Sequence, residues 1–575
     1  MPVIACLDGP SLKSERQRDL ICLGALLLVC IAVWIPRLAG PINFRWDAST
    51  YYVLGTALAE GKGYRLLNEP GEIQAVQYPP LLPMVVAGHQ WAMGTTDYVK
   101  VGPALRLTYA VLSAVFLAMA YGLARTLLPR LWSLLVGLVT ALSLSSFLLP
   151  SDVLYAELPF AVVSTGFLLC HSRKHPLFAG GAGILGAAAY LLRTAGLALL
   201  SAWILESLIQ RRFREAMVRV GVSALPILLW QAHVWRVTRS YEYHHPAYSY
   251  QHAAYYYSNV TYGENGRLVD PFRPELGQLG IADLGKRMVS NVRGIPVGLG
   301  ESAVVPTWLA PSLLKQLHRA TGVPSSAMWR VTLSSVLYIS LFGIGLLALG
   351  GALMVVKREQ WFLSLYFGMT LALVVVTPWQ NQFWRYLSPV APLTLMFVFL
   401  VLICARQRLI ELKPEWPRAA AAFVAIAPIA GMLIVQTVVV VHLFRSMEPV
   451  SYYDDEGREH VLKLLDYGSE WHALDPTFEW IRRNTVAAAV IATSVPQLAY
   501  LRTGHKAVLP PFERDPNTAN RLLEEVPVTY LVLDRFGLPG ISERYLAPVV
   551  AQEGSNWRLV FTAPDSRTRV YERTR

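Results

Sequence analysis

Asp47 stands in the run Asn43-Phe44-Arg45-Trp46-Asp47-Ala48-Ser49-Thr50-Tyr51-Tyr52, directly after the first long apolar stretch of the chain. A carboxylate where a membrane helix emerges is costly to keep near lipid, and such residues are often functional. A carboxylate in that place suits proton abstraction, if it lies within hydrogen-bond reach of a reacting hydroxyl. It equally suits a helix N-cap, because Asp is favoured there and a helix-like stretch follows. A proline-rich segment, Gln77-Tyr78-Pro79-Pro80-Leu81-Leu82-Pro83, comes about thirty residues later.

Four more charged residues sit beside apolar runs. Asp152 and Glu157 fall in Ser151-Asp152-Val153-Leu154-Tyr155-Ala156-Glu157-Leu158-Pro159-Phe160 and are predicted to begin one helix. Five residues apart, they would point about 140° from each other on a 3.6-residue repeat, so one site is not expected to use both. Asp152 could simply cap that helix beside Pro150-Ser151. Glu157, deeper in the apolar run, is harder to assign to capping. Arg193 lies between two apolar runs, and Arg385 follows Trp379 and Trp384. Either guanidinium could grip a phosphate through two parallel hydrogen bonds, while Arg385 also fits an interfacial anchor. His244, His245 and His252 are weak candidates for a divalent metal, at a spacing that matches no standard site. The competing reading is packing among the eight tyrosines of the Tyr241–Tyr262 stretch.

What must position these residues is a membrane protein. The chain has 575 residues, 54% hydrophobic and only 16% charged, against about 25% charged in soluble domains. The net charge of +12 lies in short basic segments between apolar runs, the pattern of topology signals. No nucleic-acid motif accompanies it, so nucleic acid is not an expected partner.

Apolar runs fall near 21–38, 103–123, 131–149, 157–171, 176–192, 195–209, 217–237, 332–356, 361–378, 386–404 and 419–443. About eleven transmembrane helices are expected, the fourth to sixth being short for a bilayer that needs roughly 17–25 residues. With eleven spans the basic clusters at Lys13, Arg16 and Arg18, at Arg125 and Arg130, at Arg211–Arg214, and at Lys357 and Arg358 share one face, which is therefore cytoplasmic. The stretch 176–209 decides the parity: two helices turning at Arg193 keep it, one long helix reverses everything downstream. The outer face then gathers loops 39–102 and 238–331, segments 150–156 and 379–385, and the tail from about 444. Cys6, Cys22, Cys30, Cys170 and Cys404 avoid those outer parts, so a structural disulfide is not expected.

This gives a division into a cytoplasmic N-terminus (1–20), a transmembrane part (21–443) and an extracytoplasmic α/β domain (444–575). In the first outer loop, 48–60 reads as an amphipathic helix ended by Gly61 and Gly63, and 81–93 as a second helix. In the tail, Val486–Thr493 and Val528–Asp534 read as strands, Pro516 opens a helix, and Trp557–Thr562 with Arg569–Arg573 forms a hairpin.

In order and shared face, the pieces Trp46-Asp47-Ala48-Ser49-Thr50-Tyr51-Tyr52, Tyr78-Pro79-Pro80-Leu81, Ser151–Phe160, Leu192-Arg193-Thr194-Ala195-Gly196 and Arg385-Tyr386-Leu387-Ser388-Pro389 resemble the GT-C superfamily of membrane glycosyltransferases. The resemblance is to the bacterial branch with protein O-mannosyltransferases and the lipid A aminoarabinose transferase, and it runs to about residue 405. It implies an inverting transferase in a bacterial inner membrane, taking sugar from a polyprenyl-phosphate carrier on the outer face. The acceptor would be a lipid, glycan or protein. The resemblance makes Asp47 the general base, and Arg193 and Arg385 the clamp on the departing lipid phosphate. Tyr51, Tyr78 and Tyr386 would line the substrate. Many relatives carry Asp-Glu at the first loop, whereas Ala48 follows Asp47 here; Asp152 and Glu157 are the candidates to replace the missing acid. Some relatives bind zinc through a histidine of the long loop, which leaves a divalent metal possible and no other cofactor expected. No Gly-rich nucleotide loop is present in the sequence. The rival readings are a polyprenyl-lipid or sugar transporter, against which the lack of repeated halves counts, and an assembly protein whose tail binds partners.

Overall fold

The structure is a computed structural model describing residues 12–173, 176–311, 327–358, 360–412, 418–536, 540–552 and 556–574. Cys6 and the end of the long loop, 312–326, lie outside the described residues.

Every apolar run falls on a helix. Among the described residues six helices are long and apolar enough to cross a membrane: Glu15–Arg37, Tyr98–Ala124, Phe213–Thr238, Val331–Val356, Ser388–Leu412 and Ala422–Arg445. A seventh run is a broken pair, Arg130–Leu142 and Leu144–Asp152, bent by 69°. The four shorter apolar helices are Glu157–His171, Leu177–Leu192, Gly196–Ile209 and Trp361–Val375. The stretch 176–209 is thus two helices, and they turn at Arg193-Thr194-Ala195. Gly196 makes that return possible: a Cβ there would lie 2.5 Å from the backbone nitrogen of Tyr190.

The break near Asp152 corrects one expectation. Asp152 ends the short helix Leu149–Asp152, residue 153 is extended, and a new helix starts at Glu157. The two acids are therefore not on one helix, and the 140° phasing does not apply to them. Nor does Asp152 cap a helix start; its backbone carbonyl accepts from Asn43 at 3.1 Å, which ties the break to the first outer loop.

In that loop the helices are Asp47–Ala59 and Leu81–Met93, within a residue of expectation. They cross closely at Gly55, where a Cβ would meet Val86 Cγ1 at 2.6 Å. The first is not amphipathic at a surface as expected: Ala48 through Ala57 are all buried. The far face is covered by the tail, whose Tyr500 and Leu501 pack on Val53, Ala57 and Leu67.

The tail begins earlier than its strand-like sequence implied. A hairpin of β1 (Pro449–Tyr453) and β2 (Glu459–Lys463) and a helix, Ser469–Asn484, precede the sheet. The sheet holds β3 (Val490–Ala492), β4 (Lys506–Val508), β5 (Tyr530–Leu533), β6 (Trp557–Thr562) and β7 (Arg569–Arg573) in the order β4-β3-β5-β7-β6. β3 is parallel to β4 and β5, while β7 runs antiparallel to β5 and β6. The helix Pro516–Glu525 starts at the expected proline, capped by Asp515.

Three contacts fasten tail and long loop onto the first loop. Asn68 and Ala507 exchange hydrogen bonds, the side-chain amide of Asn68 donating at 3.0 Å and its carbonyl accepting from the Ala507 nitrogen at 2.8 Å. Arg45 donates to the carbonyls of Leu465 (3.1 Å) and Asp466. The buried Glu69 carboxylate accepts from Tyr248 (2.6 Å), Tyr256 (2.8 Å) and Gln251 (3.1 Å). Burial pushes the Glu69 carboxyl up from its ordinary range, and the three donors oppose that shift.

Candidate active site

Asp47 is the first residue of its helix, and the residue before it, Trp46, holds the cap position with φ 55°. A bulky residue at positive φ is a backbone outlier of the kind found at functional sites. The cap assignment for Asp47 is thereby corrected: its side chain is not spent on the helix terminus. Oδ1 accepts from the Tyr78 hydroxyl at 3.1 Å, and Oδ2 accepts from Arg385 Nη2 at 2.6 Å. Trp46 meanwhile packs edge-on against Trp471 and Phe536 of the tail, at 5.0 and 5.5 Å between ring centres. The tail therefore buttresses the turn that aims Asp47.

Arg385 reaches two carboxylates. While Nη2 holds Asp47, Nε donates to Glu157 Oε1 at 2.5 Å. Arg193, at the turn between two helices, pairs with the same Glu157 oxygen. Glu157 is 1% exposed, and its other oxygen, Oε2, has no hydrogen-bond partner among the described residues. Asp47–Arg385–Glu157–Arg193 is thus a continuous chain of alternating charge drawn from four distant segments, and its formal charges cancel. Balanced pairing of this kind is what allows four ions to be kept away from water. The Arg385 guanidinium also lies over the Tyr155 ring, 4.1 Å from its centre, a stacking that Lys would reproduce poorly.

Tyrosines close around the chain. Tyr51 meets Tyr78 edge-on at 5.0 Å, and Tyr78 meets Tyr262 at 6.3 Å. Burial, and then the nearby Asp47 carboxylate, push the Tyr78 hydroxyl well up, so it remains a donor to Asp47. Tyr257 and Tyr262 of the long loop lie in the field of Asp47 and Arg385, as does Tyr386. Of the predicted residues, then, Asp47, Glu157, Arg193, Arg385, Tyr51, Tyr78 and Tyr386 come together.

Asp152 does not join them. It faces Arg106, with Nη2 to Oδ1 at 3.8 Å, and Asn43 at 3.5 Å. Its neighbour Ser151 accepts from Arg37 Nη1 at 3.0 Å. Arg37, Arg106 and Asp152 are each no more than 1% exposed. This second buried charge cluster sets the first loop against the helix break and holds Asp152 away from the Asp47 chain, whereas Glu157 stands beside Asp47's own partner.

The histidines do not converge. His252 stacks on Tyr243 at 4.0 Å, and burial lowers its pKa from the ordinary histidine value. His245 stacks on Tyr241 at 3.7 Å, and His244 meets Tyr243 edge-on at 6.1 Å. Among the described residues no group of three His, Cys, Asp or Glu side chains is arranged to hold a metal ion. His244 and His252 thus pack against Tyr243, and His245 against Tyr241.

Sequence reasoning missed Tyr155, Tyr257 and Tyr262. Tyr155 lay inside a quoted motif; nothing local separates Tyr257 and Tyr262 from the other six tyrosines of their stretch.

No family model matches the chain, and no curated protein matches it. Solved structures do. The oligosaccharyltransferase of Archaeoglobus fulgidus, in complex with Zn and sulfate, aligns with TM-score 0.50 at 14% identity, over 96% of this chain and 73% of that one. ArnT from Cupriavidus metallidurans, bound to undecaprenyl phosphate, aligns with TM-score 0.48 at 12% identity, over 96% and 97%. The chain therefore shares the fold of the archaeal oligosaccharyltransferase, with apolar helices followed by a small α/β domain at the C-terminal end.

Proposed function

We propose that the protein is a multi-pass membrane glycosyltransferase that moves a sugar from a polyprenyl-phosphate carrier to an acceptor hydroxyl on the outer face of a bacterial inner membrane. In this reading the N-terminus is cytoplasmic and the tail extracytoplasmic. The acceptor belongs to a lipid, glycan or protein. The observation that carries the reading is the Asp47–Arg385–Glu157–Arg193 chain, which sets a carboxylate beside a pair of arginines at the ends of apolar helices. Lipid-linked phosphate needs that pairing: apolar walls for the tail, guanidinium for the phosphate, and a base for the attacking hydroxyl.

The acceptor hydroxyl attacks the anomeric carbon from the face opposite the phosphate, so configuration inverts. Asp47 takes the hydroxyl proton as the new carbon–oxygen bond forms. The bond from the anomeric carbon to the phosphate oxygen breaks, and polyprenyl phosphate leaves with the electron pair. Arg385 and Arg193 meet the charge that develops on it. Tyr51, Tyr78 and Tyr386, with Tyr155, Tyr257 and Tyr262, offer flat apolar faces and hydroxyls to the sugar.

Zinc, present in the archaeal structure, does not fit this donor set. The oxygens of Asp47 face a guanidinium and a phenol, and the bonded oxygen of Glu157 faces two guanidinium groups.

The reading is tested in cells lacking the protein, by comparing polyprenyl-phosphate-sugar pools and surface glycans with wild type, Asp47→Asn or nothing restored. One carrier should accumulate in the deletion and be cleared by wild type only. Clearance by well-expressed Asp47→Asn would remove Asp47 as base and return the transporter reading to the front.

A further inference from the structure

The Asp47 carboxylate is engaged in this structure, and its engagement has a direction. Oδ2 carries Arg385 and Oδ1 carries Tyr78. With one oxygen taken by a guanidinium at 2.6 Å and the other by a phenol at 3.1 Å, the carboxylate offers an incoming hydroxyl no free oxygen. Something must therefore draw Arg385 away before Asp47 acts.

An arriving phosphate can do so, and the geometry decides which contact yields. Glu157 has a side chain 1% exposed and holds Arg385 through Nε. Stripping it of its cations would leave an uncompensated buried charge, a costly state. The Asp47 side chain is 18% exposed and keeps Tyr78 as a second partner. Its bond to Arg385 is made by the terminal Nη2, so a turn of the Asp47 side chain or a small tilt of the whole planar guanidinium opens it while the contact at Nε is kept. The phosphate thus competes for the Asp47 end of Arg385, not for the Glu157 end.

We propose that Glu157 is a positioning residue that anchors Arg385 and Arg193, so that docking of the donor phosphate pulls Arg385 off Asp47 and frees the base only once the donor is in place. This inference rests on the lipid-phosphate reading above and deepens it, since it fixes the order of binding as donor before acceptor. The chemistry is unchanged: the proton still passes from the acceptor hydroxyl to Asp47, and the electron pair still leaves on the lipid phosphate.

The full-length protein in nanodiscs is loaded with undecaprenyl phosphate or with undecaprenol, which lacks the phosphate. Retention of each lipid is read by native mass spectrometry. Exposure of Asp47 is read by carbodiimide labelling of carboxylates and peptide mapping. Labelling of Asp47 in wild type is expected to rise severalfold with undecaprenyl phosphate and not with undecaprenol. Glu157→Gln removes one negative charge, so it should retain the phosphate lipid at least as well as wild type. Arg385 then has Asp47 as its remaining acid partner, and labelling should not rise. Glu157→Asp, which keeps the charge, should restore part of the rise. A role in folding alone would instead lower lipid retention in Glu157→Gln. Retention by wild type with unchanged Asp47 labelling overturns the ordering, as does a wild-type response from Glu157→Gln. Failure of wild type to retain undecaprenyl phosphate at all overturns the donor reading itself, and this inference with it.

Discussion

Arg385 bridges Asp47 and Glu157: its Nη2 is 2.6 Å from one carboxylate and its Nε 2.5 Å from the other, across 338 and 228 residues of sequence. Two acids from separate segments are thereby held by one planar cation, with Tyr155 beneath it at 4.1 Å. A flat guanidinium can serve two carboxylates and a ring face at once, and an ammonium cannot.

Arg385→Lys is therefore expected to fold but to transfer poorly. A Lys at 385 keeps the charge count at the site, so the balance with Glu157 and Arg193 survives. It loses the fixed double contact and the stacking, and with them, under the proposed function, the aim on the departing phosphate. A fall in transfer of at least about 10-fold, roughly one charge-assisted hydrogen bond's worth, is expected. The check is single-turnover transfer of sugar from the lipid carrier, with thermal unfolding measured alongside. Wild-type turnover by Arg385→Lys would remove the bidentate role.

Much of this site was legible because its residues stand where apolar runs end. Asp47, Arg193, Glu157 and Arg385 each interrupt or flank a run, and a charge in that position needs a reason. What the sequence hid was pairing. Asp152 and Glu157 have the same type and a short spacing, yet a helix end, an extended residue and a new helix start send one to Arg106 and the other to Arg385. Periodicity assumes one continuous helix and cannot see such a break. The amphipathic reading of 48–60 failed for a similar reason, since the tail that covers its second face begins nearly 400 residues later. Which tyrosine each of His244, His245 and His252 packs against was not legible either, since spacing in a loop carries no geometry.

Glu69 predicts how the long loop is held. It accepts from Tyr248, Tyr256 and Gln251, and Tyr256 in turn accepts from the backbone of Leu509 in the tail. Glu69→Ala leaves three buried donors without their acceptor, which costs about 1–3 kcal/mol for each group stranded. The loop that carries Tyr257 and Tyr262 should then loosen. Limited proteolysis is expected to cut within 243–262 sooner, while the membrane helices remain protected. Tyr256→Phe should give a weaker version of the same result. Unchanged cleavage in both variants would show that the loop is held by packing alone.

The contact between the first loop and the hairpin of β1 and β2 should respond to pH through Asp97. Its carboxylate caps the helix Tyr98–Ala124 by accepting from Val99 at 2.8 Å, and also accepts from the Asp455 backbone nitrogen at 3.2 Å. Burial, and then the facing Asp455 carboxyl, push Asp97 up to about 6. Lys100, 3.8 Å away, and Arg458 work against this shift. Because the folded state holds the proton more tightly than the unfolded chain, Asp97 contributes stability that is complete below the ordinary Asp range near 3.8 and is lost as pH rises through about 6. Asp455 is lowered and acts in the opposite sense, so the net slope is shallower than Asp97 alone would give. Asn is as good an N-cap as Asp, so Asp97→Asn should keep the cap and abolish the Asp97 part of the slope. Thermal unfolding of detergent-solubilised protein between pH 4 and 7 is expected to show a midpoint that falls with pH relative to Asp97→Asn. Parallel profiles for the two proteins would mean that Asp97 is ionised throughout, with Lys100 outweighing Asp455.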